Sequence, residues 1–230
     1  MHNLLWLTVR LVVAVFLLSG AAVATASRSS ADPGVTEDTL ALLRESLSTP
    51  HEASFHVSYD IEQEGESAQL AIFQKEGKQR LDLVFDTPDG EYFVRFFSSA
   101  PDDPPIFCVD EPGQEAQCVN VQDGLFEPGE SFYWAMFGSR VEELFGILSE
   151  TGQELSSVEA RNIAGEDVQV YLFEALASEE GFTEIALTED GIPLLLSVDL
   201  GSDNSPVHIE ATEFSREVAD NHFEPPASPI

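Results

Sequence analysis

From Phe55 onward the chain alternates apolar and polar residues with a period of two, and that period is the strongest constraint on its fold. Phe55, Val57, Tyr59 and Ile61 alternate with Ser54, His56, Ser58 and Asp60. Successive side chains of a strand point to opposite faces, so this is a strand with one buried face. The pattern repeats after each turn signal. Glu64-Gly65-Glu66 precedes Ala68, Leu70 and Ile72; Gly77 precedes Leu81, Leu83 and Phe85; Pro88-Asp89-Gly90 precedes Tyr92, Val94 and Phe96. Connections this short join antiparallel neighbours, so the first half reads as a meander. A second series follows, over Val158–Ile163, Val168–Phe173, Phe182–Leu187, Leu194–Leu200 and Val207–Phe214, with Asp190-Gly191 as its clearest hairpin signal.

Between the two series lies Ser131–Leu148, reading SFYWAMFGSRVEELFGIL, the most aromatic and least charged run after the N-terminal region. A helix here has no fully polar side in its first half and needs cover on more than one side. Gly152 is placed to end it. An earlier helix is expected from Thr36, as N-cap, to Ser48, with Leu40, Leu43 and Leu47 on one stripe and Pro50 as its stop. With no low-complexity linker between the series, the expected fold is α+β: one large curved antiparallel sheet, a half-barrel, with helices over its concave face. Phe93, Phe97, Phe173 and Leu195 fall out of phase, which calls for cover on the second face or for bulges. Phe223, ahead of Pro225-Pro226, is placed to tuck against the sheet.

Charge narrows the function classes. Against 10 Lys plus Arg stand 42 Asp plus Glu, a formal charge of −32, and Lys75 and Lys78 are the only lysines. Such a surface repels phosphate backbones, which argues against nucleic-acid partners. It suits an exported protein or one from a salty habitat. At the N-terminus Arg10 precedes the apolar run Leu11–Leu18, and Ala24-Thr25-Ala26 is a small-x-small cleavage pattern. Residues 1–26 therefore read as a signal peptide, or alternatively as an N-terminal membrane anchor, residues 27–34 as a linker and residues 35–230 as a single domain. The expected location is extracytoplasmic, in a periplasm or at the cell surface. In an oxidising compartment Cys108 and Cys118, the only cysteines, are expected to pair across a hairpin turning at Glu111-Pro112-Gly113.

Motifs for catalysis are missing. No nucleophile elbow, phosphate loop or zincin helix occurs. No two of His51, His56, His208 and His222 have metal-ligand spacing. Arg95, Arg140 and Arg161 read as surface ion-pair partners. No cofactor is expected, and the chain reads as a non-enzyme. What remains is apolar surface. If the meander curves, Phe55, Val57, Tyr59, Leu70, Ile72, Leu83, Phe85, Tyr92, Val94 and Phe96 line one concave face. Side chains then either fill the space beneath the helices or leave a mostly apolar pocket, the common form of a ligand site.

The segment Arg161-Asn162-Ile163-Ala164-Gly165-Glu166-Asp167-Val168-Gln169-Val170-Tyr171 resembles a hydrophobic-x-Gly-x-x-x-x-x-Tyr strand turn that recurs in the LolA-like lipoprotein carriers and the LppX/LprG-like lipid-binding lipoproteins. Ala211-Thr212-Glu213-Phe214 followed by Phe223-Glu224-Pro225-Pro226 is similar to their final strand and tail, and the order helix, meander, helical lid, meander is theirs too. The resemblance implies a half-barrel enclosing an acyl chain or other lipid-like ligand without catalysis, as carrier or sensor. It makes Trp134, Met136, Phe137, Leu144 and Phe145 the lid. The alternative is an envelope protein-interaction or regulatory module of the same fold with a filled core, as in related periplasmic regulators of anti-sigma factors. The chain departs from the family in lacking the lipid-modified cysteine, and no position matches the carrier's arginine.

Overall fold

Two-residue and other short hairpins dictate the architecture. A computed structural model describes residues 37–48, 53–63, 66–98, 104–121, 141–150, 152–175, 181–199 and 206–229. Eleven strands follow in it: β1 Phe55–Gln63, β2 Glu66–Lys75, β3 Lys78–Thr87, β4 Gly90–Ser98, β5 Ile106–Asp110, β6 Gln117–Asn120, β7 Gln153–Ile163, β8 Glu166–Ala175, β9 Phe182–Leu187, β10 Pro193–Asp199 and β11 Val207–Ser215. All pair antiparallel in one sheet, in the order β6-β5-β4-β3-β2-β1-β11-β10-β9-β8-β7. Only the β1–β11 pairing is non-sequential; it joins the two meanders side by side, and β6 and β7 remain the open edges.

The turns show why the register is fixed. Between Lys75 and Lys78, Glu76 and Gly77 both take positive φ (49° and 81°), as do Ala164 and Gly165 (52° and 87°) between β7 and β8. Paired positive φ values match the right-handed twist of the flanking strands. Asp190-Gly191 does form a hairpin, although through a longer loop: Thr188 N donates to Ile192 O (2.9 Å), and Ile192 N donates to Thr188 Oγ1 (2.9 Å).

Two helices lie against the sheet. In α1, Glu37–Ser48, Leu43 (0% exposed) and Leu47 (4%) are buried while Leu42 faces out. In α2, Val141–Glu150, Phe145 and Leu148 are buried, and Gly152 follows with φ of 65°. Both helices pack on Leu155, Tyr171, Phe173, Ile185 and Leu187, that is, on β7–β9. Each fully buried leucine contributes about 1.5–3 kcal/mol, so this contact fixes the helices far more firmly than their intrinsic propensity does. The first ten residues of the aromatic segment, 131–140, lie outside the described residues, as does the region 1–36.

The out-of-phase residues have different causes. Phe173 is buried under the helices. Leu195 adjoins a register shift between Pro193 and Leu195, where a bulge disturbs the alternation. Phe97 packs on the Cys108–Cys118 disulfide beneath Ala227 of the C-terminal tail. Phe223 is buried against Phe73 and Val218 on the same side, as its sequence position suggests. The sheet also rolls: Gln153 Nε2 on β7 donates to Asp199 O on β10 (3.0 Å), although two strands separate them in the sheet order.

Candidate functional site

Cross-strand partners share a face, so the register places each predicted floor residue. One row runs Phe214–Val57–Ile72–Leu81–Phe96–Phe107–Val119 across β11 and β1 to β6. A second runs Ala211–Tyr59–Leu70–Leu83–Val94–Val109. A third crosses nine strands, Tyr92–Phe85–Ala68–Ile61–Ile209–Leu196–Ile185–Tyr171–Val158, without one charged residue. Phe55 shares this face through its i, i+2 relation to Val57. All ten predicted floor residues thus lie on one face. The pattern of β1 to β4 does not reveal that Ile209, Leu196, Ile185 and Tyr171 extend that face through the second meander.

Burial along the first row is graded. Val57, Ile72 and Leu81 are 0%, 1% and 4% exposed, Phe96 and Phe107 are half-buried with ring centroids 4.9 Å apart, and Val119 on the open edge is 40% exposed. The apolar floor therefore runs from a dry centre to a solvent-facing rim at β4–β6. At the centre Tyr59 is 1% exposed, and its hydroxyl donates to Pro193 O (2.7 Å) on β10. It reaches across β11 because its cross-strand partner there is the small Ala211. Burial raises the Tyr59 hydroxyl pKa far above the ordinary tyrosine value, so it stays a neutral donor.

Of the residues expected to form a lid, the two that are described, Leu144 and Phe145, pack at the other end of this face. Phe145 is buried with its ring edge-on to Phe173 (6.3 Å between centroids), and Leu144 packs partly buried beside it. Leu196 touches both this cluster and the one holding Phe55, Val57, Tyr59, Leu70 and Ile72, which joins the helix-covered end to the first meander. Trp134, Met136 and Phe137 fall outside the described residues.

The opposite face differs in chemistry. A cleft of about 250 Å³ is lined there by Asp60, Glu62, Ser67, Ala68, Gln69, Val84, Asp86 and Glu91. Four carboxylates, with no cation among the lining residues, make it unsuited to an acyl chain or an anionic headgroup. Further along, Asp82 is bonded by Arg80 and approached by Arg95 Nε (3.7 Å), whose Nη1 donates to Asp110 (3.4 Å). Arg95 is therefore not the surface residue its sequence context suggests: its side chain is 15% exposed. Arg161 does pair at the surface, with Glu184 at 2.8 Å, and Arg140 lies outside the described residues.

The class so defined is an open antiparallel sheet with one continuous apolar face, capped at one end by two helices and disulfide-stapled at the other. No protein-family model matches the chain, and no curated protein matches it in sequence. Solved structures similar to it include a chain of the Pseudomonas aeruginosa MucA/MucB complex, with TM-score 0.45 and 17% identity over 82% of this chain. The match spans 60% of that longer chain. An uncharacterised conserved protein from Thermus thermophilus matches with TM-score 0.42, at 7% identity, over 80% of this chain and 92% of its own. A LolA superfamily protein from Nitrosomonas europaea matches with TM-score 0.32, at 10% identity, over 83% and 98%. Among the described residues no helix is long and apolar enough to cross a membrane.

Proposed function

We propose that the chain is an exported, non-enzymatic protein that binds a lipid or other apolar ligand on this face, as carrier or sensor. The observation that carries the reading is the burial gradient: an unbroken apolar row leads from Val119 at the open edge, past half-buried Phe107 and Phe96, to a fully covered centre at Ile72 and Val57. Continuing the row into solvent costs solubility, a cost that an apolar ligand seated on the row offsets. In this reading the sheet is a half-barrel, the face is its concave side, and α1, α2 and the segment holding Trp134, Met136 and Phe137 form the lid. Leu144 and Phe145 hold that lid down. Residues 35–230 act as one domain, residues 1–26 direct export or anchor the chain, and the protein works outside the cytoplasm.

A second reading rests on a different observation. Phe55, Val57, Tyr59, Leu70 and Ile72 are all at or below 1% exposure, as in a filled core. With the centre permanently filled, the same fold serves as an envelope protein-interaction module, and the rim at Phe96, Phe107 and Val119 becomes the docking patch. Titration with an environment-sensitive acyl probe separates the two. The ligand reading expects saturable, one-site enhancement that Phe96→Asp reduces at least tenfold; a filled core expects no saturable enhancement in either protein.

A further inference from the structure

The C-terminal segment from Arg216 to Pro229 adds no strand to the sheet, yet it covers the face opposite the apolar floor. Its backbone hydrogen bonds among the described residues are local, His222 N to Ala219 O (3.2 Å) and Glu224 N to Asn221 O (3.4 Å). Side chains hold it instead. Val218 and Phe223 bury against Phe73, and Ala227 packs with Phe97 and the disulfide. Arg80, whose guanidinium lies over the Phe73 ring (4.9 Å) and the Phe97 ring (5.5 Å), donates from Nη1 to His222 O (2.9 Å). Asp220 sits 3.2 Å from Lys75 Nζ and 3.6 Å from Lys78 Nζ.

Two features make this more than a strap. The face beneath the tail sets aromatic rings beside cations, chemistry complementary to a peptide bearing an aromatic and a carboxylate. Its rim also holds both lysines of a chain with 42 acidic residues. An acidic segment is therefore attracted to this rim and repelled by most of the remaining surface.

We propose that the β2–β5 outer face is a peptide-docking groove with the chain's own tail as resident occupant. It accepts, from a partner protein, a segment carrying a carboxylate three residues before an aromatic, the spacing of Asp220 and Phe223. The tail is present at high effective concentration, so a free segment binds only where the tail is released or outcompeted. The groove is on the other face from the proposed ligand floor and does not depend on it.

The test uses the full chain and a fluorescein-labelled peptide of residues 216–229, followed by anisotropy. Asp220→Lys changes an exposed side chain and sets the tail against Lys75 and Lys78; Val218→Asp with Phe223→Asp removes the apolar anchors. The Val218→Asp/Phe223→Asp variant is expected to bind the peptide at least tenfold more tightly than the unaltered chain and Asp220→Lys about twofold more tightly, its ion pairs being exposed, and molar salt weakens that binding. The same peptide with Phe223→Ala loses it. Equal affinity for unaltered and variant chains overturns the proposal, and so does failure of the Asp220→Lys chain, with its native near-ultraviolet circular dichroism intact, to bind.

Discussion

Asp82 offers a test of how the sheet treats charge on its tail-covered side. Its side chain is 10% exposed and lies against Arg80 (18%) and Arg95 (15%). Replacing it by Asn keeps the shape but leaves two guanidinium groups without their shared counter-charge. Breaking a buried pair from one side costs about 3–5 kcal/mol, and because Asn still accepts one hydrogen bond and Asp110 still faces Arg95, the low end applies, about 3 kcal/mol. At roughly 2–4 °C per kcal/mol for a domain of this size, the melting temperature falls by about 6–12 °C. The control is in the same sheet. Arg161–Glu184 is 2.8 Å long but 41% and 19% exposed, so Glu184→Gln costs under about 0.5 kcal/mol. Urea denaturation of both variants measures the contrast. If Asp82→Asn costs no more than Glu184→Gln, the tail does not seal this face and the assignment of Arg95 to the interior is wrong.

Three other outcomes follow from single contacts. Tyr59→Phe deletes the hydroxyl bonded to Pro193 O, costing about 0.5–1.5 kcal/mol in urea melts; no change would mean the ring does not bridge β1 and β10. His56 lies flat on Phe73 (4.2 Å) near His222, Glu213 and Arg80, and burial lowers its pKa below 6.5, with Glu213 opposing that shift. A depressed histidine pKa gives stability that is present above pH 6.5 and lost as pH falls through the folded-state value, so the melting temperature drops from pH 8 to pH 5.5 by more than in His56→Gln. Equal drops would remove His56 as the cause. Glu76, exposed at φ 49°, tolerates Asn better than Glu in a paired positive-φ turn, so Glu76→Asn raises stability by about 0.5–1 kcal/mol, and a loss in thermal melts would refute the turn assignment.

The first meander is readable because nothing interrupts its alternation: β1 to β4 pair residue for residue from Phe55–Gln74 to Thr87–Gly90, so every apolar position of the sequence pattern stays on one face. In the second meander, register shifts at Leu155/Ser157 and Pro193/Leu195 break the period, and Leu194-Leu195-Leu196 carries no alternation from which a face could be assigned. Arg95 misleads for another reason. Its partners, Asp82 and Asp110, come from the neighbouring strands β3 and β5, and a strand arginine between Val94 and Phe96 gives no local sign that they will enclose it. The tail is half legible: Phe223 as an apolar residue among prolines points to docking, while the match of Asp220 to Lys75 and Lys78 needs the fold. The pairing of the cysteines follows from their number together with an oxidising compartment, and the structure places Cys108 directly opposite Cys118 in register.

Whether the apolar floor receives a ligand decides the function. Native mass spectrometry of the full chain, incubated with a mixture of fatty acids and phospholipids and then exchanged into volatile buffer, asks this directly. Ligand binding on the floor predicts a one-to-one adduct of a single acyl-chain species, diminished in Phe96→Asp and unaffected in Asp220→Lys. A spectrum of the bare chain alone, in repeated preparations that retain the Cys108–Cys118 bond, would contradict it.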